Sequence, residues 1–115
     1  MEDVQALALF NEILARTREG RIPWEPSVSD ALVAAIKGKR SLVLRPFTGT
    51  DSWGNDFGAP TLTVKDAADH DLLRVTSDVN GVREPDLQEL YEIARRQAFK
   101  VDQQVQDLIS DLRSL

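Results

Sequence analysis

Apolar residues recur at helical spacing in two stretches of the chain, one at each end. In "EDVQALALFNEILARTREG", Leu7, Phe10, Ile13 and Leu14 fall on one broad face, with Val4 one turn earlier. This predicts an N-terminal helix, with Asp3 placed to cap its start and Gly20 placed for a left-handed C-terminal cap. The last segment is more regular. Leu87, Tyr91, Ala94, Ala98, Val101, Val105, Leu108, Leu112 and Leu115 alternate steps of four and three, with no proline or glycine from Asp86 onward. A straight 3.6-residue stripe drifts by about 20° per heptad, so an unbroken heptad seam is more than a helix lying on its own core requires.

A continuous helix from about Asp86 to the end, roughly 30 residues at 1.5 Å each, would be about 45 Å long. A compact domain of this size has a radius of gyration of about 13 Å, so such a helix overhangs the body that carries it. The seam also changes character. Its first half is small and broad, with Ala94 and Ala98 flanked by Leu90, Ile93 and Phe99; its second half narrows to valine and leucine between Gln103, Gln104, Gln106 and Asp107. A narrow stripe suits helix-to-helix contact. Either the helix bends to bury its seam at home, with the N-terminal helix as partner, or Val105, Leu108, Leu112 and Leu115 pair with a second chain. Residues 101–115 are then an oligomerisation helix on a single domain spanning 1–115.

Between the helices the period shortens to two. "RIPWEP" is forced into an extended path by its prolines, and Trp24 packs down onto the core. "DALVAAIKGKRSLVLR" reads best as two strands turning at "KGKR", although a short helix capped by Asp30 and Gly38 also fits "DALVAAIKG". "TLTVK" alternates, with Leu62 and Val64 on one face; "DAADHD" is a turn and "LLRVT" the returning strand. Asn80-Gly81 signals another turn, and Pro85 suits a first helical turn. The expected class is α+β: an N-terminal helix, a three- or four-stranded antiparallel sheet and a long C-terminal helix, both helices on one face.

The composition is that of a globular rather than disordered chain, with 42% apolar and 29% charged residues. The absence of cysteine removes disulfide frameworks, thiolate zinc sites and cysteine nucleophiles. A formal charge of -5 argues against a nucleic-acid backbone or an anionic membrane as partner and favours a basic protein. "MEDVQALALF" lacks the basic region of a signal peptide, and no stretch reaches the roughly 20 apolar residues of a membrane span, so the expected location is cytoplasmic.

Candidate chemistry is sparse. His70 is the sole histidine and sits among Asp66, Asp69 and Asp71, but without a recognised ligand spacing the stretch reads as a solvated turn rather than a metal site or an activated histidine. "DSWGND" lacks the order and distal glutamate of a calcium loop. Lys37, Lys39, Arg40 and Arg45 form a small basic cluster that a hairpin turn explains and that a nucleic-acid accessory module would use. Glu89 and Glu92 read as a solvated helix face. No catalytic residue, metal or cofactor is expected.

The loop over 48–60 is long enough to suggest a role. Either Trp53 and Phe57 fold back over the open end of the sheet, or they stand out as anchors for a partner. A ligand-binding or hydrolytic domain would use Trp53 with Asp51, Asn55 and Asp56.

Two motifs look familiar. Thr17, Gly20, Ile22 and Trp24 form T-x-x-G-x-I-x-W, and Leu90, Tyr91, Ala94, Arg95, Arg96, Ala98, Val101 and Asp102 form L-Y-x-x-A-R-R-x-A-x-x-V-D. The chain thereby resembles a loose group of small bacterial α+β proteins and accessory domains. The resemblance covers both ends and little of the middle, and it implies an architecture and a bacterial origin but no activity. The expected function is a non-enzymatic, self-associating protein-interaction module, forming a homodimer, in an inhibitor, immunity or adaptor role.

Overall fold

The computed structural model describes residues 2–47, 49–77 and 82–115, without the side chains of residues 2, 3, 50, 56 and 57. Helix α1 (Glu2–Arg18) leads through β1 (Glu25–Pro26) and a 3₁₀ turn (Val28–Asp30) into β2 (Leu32–Ile36) and β3 (Arg40–Arg45). A small hairpin, β4 (Gly49–Thr50) and β5 (Asp56–Phe57), precedes β6 (Thr61–Asp66) and β7 (Asp71–Val75). Two helices close the chain, α2 (Glu84–Ala98) and α3 (Val101–Arg113).

The main sheet has the order β1-β2-β3-β6-β7, and every pairing in it is antiparallel. The fifth strand, beyond the three or four expected, is β1. The prolines of "RIPWEP" do impose an extended path, and Glu25 and Pro26 use it to pair with Val33 and Leu32 at the sheet edge, where a proline's missing donor is tolerated. Residues 32–36 are strand, as the hairpin reading expected. Lys37 and Gly38 both take positive φ (53° and 69°), and the Lys39 amide donates to the Ile36 carbonyl at 3.1 Å. That is the backbone a tight hairpin demands.

One core unites α1, α2 and alternate residues of the sheet. Phe10, Leu32, Leu44, Leu62, Leu87 and Leu90 are fully buried, each contributing about 1.5–3 kcal/mol of apolar burial. α1 ends as expected: the Gly20 amide reaches the Thr17 carbonyl at 3.0 Å and the Arg21 amide the Arg16 carbonyl at 3.0 Å, with Gly20 at φ 73°. This is the Schellman arrangement. Its start differs, because the helix already includes Glu2 and Asp3 and so leaves Asp3 inside the first turn rather than at a cap. Pro85 lies in the first turn of α2; the Asn80-Gly81 turn lies outside the described residues.

The C-terminal helix is not one rod. It breaks at Phe99-Lys100, where Lys100 adopts the left-handed conformation (φ 53°, ψ 45°). The expectation of a continuous helix from Asp86 to the end is therefore corrected. A non-glycine residue in that conformation costs roughly 1–2 kcal/mol, and local contacts offset it. Arg96 bonds Asp102 across the break at 2.7 Å, the Gln104 side-chain amide donates to the Phe99 carbonyl, and the Arg95 guanidinium lies 5.6 Å from the centre of the Phe99 ring. The molecule is elongated, with a radius of gyration of 15.8 Å and extents of 58 × 39 × 27 Å, against about 13 Å for a compact chain of this length.

Candidate interaction surface

α3 contributes no buried residue. Val105, Leu108, Leu112 and Leu115 are all exposed, Leu108 and Leu112 at 57% each. The seam that reads as continuous in sequence is divided by the elbow into two parts. Leu87, Ala94 and Ala98 seal the core, and the four distal residues face outward. At the elbow, Arg95, Phe99, Val105 and Leu108 are among the residues that line a shallow groove. The helix bends, yet it does not wrap. The bend moves the stripe to a new direction without covering it.

The 48–60 loop is a built hairpin. The Asp51 carboxylate accepts the amides of Trp53 and Asn55, both at 2.9 Å, while the Asp51 amide donates to the Asn55 carbonyl at 2.9 Å and Gly54, at φ 82°, donates to the Asp51 carbonyl at 3.1 Å. Trp53 stands at its tip, 84% exposed. It does not fold back over the sheet. The Phe57 side chain lies outside the described part of the structure.

"DAADHD" forms the same turn. The Asp66 carboxylate accepts the amides of Ala68 and His70, both at 2.9 Å, the Asp66 amide meets the His70 carbonyl at 3.0 Å, and Asp69 (φ 67°) occupies the place of Gly54. The two stretches that carried the most suggestive chemistry are thus one local motif used twice. In each, the leading aspartate holds a five-residue turn. His70 is exposed, with Nδ1 3.3 Å from Asp66 Oδ2. Asp66 titrates below the ordinary aspartate range, chiefly because it accepts the His70 amide. Among the described residues no three acidic, histidine or cysteine side chains gather as a metal set. Among them, too, no helix is long and apolar enough to cross a membrane.

The two familiar motifs have structural roles. Thr17 is completely buried and its hydroxyl accepts the Trp24 indole N–H at 3.1 Å; the Gln97 amide donates to the Thr17 carbonyl at 2.6 Å. Tyr91 donates to the Asp30 carbonyl at 2.6 Å, tying α2 to the 3₁₀ turn. Arg95, Arg96 and Asp102 build the elbow. Comparisons with protein-family models, with curated proteins and with solved structures return no match.

Proposed function

We propose that this chain is a non-enzymatic protein-interaction module that self-associates through α3, in an adaptor, inhibitor or immunity role. The observation that carries the reading is the exposed stripe of Val105, Leu108 and Leu112, continued by Leu115 just past the helix end, on a helix without a fully buried residue. Full burial of such side chains contributes about 1.5–3 kcal/mol each before association costs. Their four-three spacing suits an α-helical or groove-shaped seat. Trp53, held out on a hydrogen-bonded hairpin rather than a slack loop, supplies a second contact of the kind that dominates protein interfaces. Asp51 beside it and the chain's net charge of -5 favour a basic partner there. Sedimentation of a Leu108→Glu, Leu112→Glu variant tests the reading. The variant should be a monomer at concentrations where the native chain associates; unchanged association would remove α3 from the interface.

A further inference from the structure

The self-association reading leaves open what covers α3, and the body of the protein offers a seat. Ile13, Ile36, Leu42 and Val64 floor an apolar slot of about 350 Å³ between α1 and the β2–β3 hairpin. Three arginines and one glutamate line its rim, and of these Arg16 is already paired, with Glu12 at 2.7 Å and Glu19 at 2.6 Å. Arg21 has Glu19 at 3.7 Å, and Arg40, opposite Asp66 in the β3–β6 ladder and felt by its carboxylate, makes no ion pair within 4.0 Å among the described residues. Of the "KGKR" cluster that the sheet uses as a turn, Arg40 lines this slot.

α3 carries the complementary pattern. Leu108 and Leu112 are one helical step of four apart, about 6 Å along the axis, and stand on one side. Asp107 and Asp111 repeat the same step immediately beside them, and Arg113 is the sole base in Val101–Arg113. A leucine pair bordered by two carboxylates matches an apolar floor whose two less engaged rim charges, Arg21 and Arg40, are guanidiniums.

We propose that Leu108 and Leu112 of one copy seat in the slot between α1 and the β2–β3 hairpin of a second copy, with Asp107 and Asp111 against Arg21 and Arg40. Exchanged reciprocally, the contact occurs twice and closes a two-fold dimer. This rests on self-association through α3 but differs from α3 pairing with α3, because it makes the interface a helix in a groove on the body.

Charge exchange between two variants tests it. One carries Arg21→Glu with Arg40→Glu, the other Asp107→Lys with Asp111→Lys; all four positions are exposed, and circular dichroism checks that each variant folds. Each variant alone should dimerise at least about tenfold more weakly than the native chain at low salt, the scale expected of close interfacial charge pairs. Mixed one to one, they should form a heterodimer of near-native affinity, since each seat then meets an opposite charge. If the aspartate changes weaken association while the arginine changes do not, the slot is not the seat, and α3 self-association survives by another route. If the mixture shows no recovery, the pairing is wrong. A native chain that stays monomeric overturns both the seat and the self-association reading.

Discussion

The Trp24 indole donates its hydrogen bond to the hydroxyl of Thr17, seven residues earlier and on the far side of the α1 terminus. Both side chains are buried, Trp24 at 5% exposure and Thr17 at zero. Between them, Gly20 turns the chain and Ile22 enters the core. This one bond explains why threonine, glycine, isoleucine and tryptophan stand at their spacing: the helix end, the turn and the ring form a single closed corner.

Thr17→Val should therefore cost about 1–3 kcal/mol, because it keeps the shape and strands a buried N–H. Trp24→Phe removes the donor but also part of the ring. In a double-mutant cycle the combined variant should lose less than the sum of the two, read by urea denaturation. Strict additivity would show that the bond does not form in solution.

Trp53→Ala should change stability by no more than about 0.5 kcal/mol, as at other exposed positions without structural partners. The two tryptophans also separate optically. Acrylamide should quench Trp53 fluorescence readily and leave that of Trp24 protected. A loss of several kcal/mol would instead mean that the Trp53 ring packs against the body.

Acid should loosen the β6–β7 turn. Asp66 titrates below its unfolded value because its carboxylate accepts the His70 amide, the Ala68 amide and the His70 side chain and feels the charge of Arg40. A lowered folded value means that the carboxylate's contribution is fully present above the unfolded pKa, roughly 3.9, and is lost as pH falls through the folded one. Amide exchange at Ala68 and His70 should rise over that acid window, beyond the intrinsic pH trend. Asp66→Asn should abolish that dependence. Amides indifferent to pH in this range would contradict the turn.

Lys100→Gly discriminates the elbow from a continuous helix by sign. At a left-handed position glycine is favoured by about 1 kcal/mol; inside a continuous helix it costs about as much. The elbow predicts that α3 amides exchange more slowly in the variant. Faster exchange, with lower helicity, would mean that residues 84–113 run straight in solution.

The helices and the alternating strands were legible because burial on one face leaves a period in the sequence. Leu62 and Val64, or Leu87, Leu90 and Ala94, announce which side faces the core. The β2–β3 hairpin was legible from Lys37-Gly38, a pair able to take the turn's positive φ. The elbow was not. Phe99-Lys100 contains neither glycine nor proline, the heptad seam passes straight through it, and the contacts that support it, from Arg96 to Asp102 and from Gln104 to Phe99, form only once the chain has turned. The β1 edge strand was hidden for a similar reason, since two residues carry no period. At the candidate surface, the exposed distal seam was readable as a stripe too long for its core, though its length came from a bend and not from an overhanging rod. The slot on the body was invisible, because Ile13, Ile36, Leu42 and Val64 come from four elements and meet only in the fold.

Light scattering after size exclusion, on the intact chain and on the chain ending at Lys100, bears most directly on the central claim. The account predicts a mass near twice 12.8 kDa for the intact protein and a folded, cooperatively unfolding monomer for the shortened one. An intact chain that runs as a monomer at high concentration, or a shortened chain that still dimerises, would contradict it.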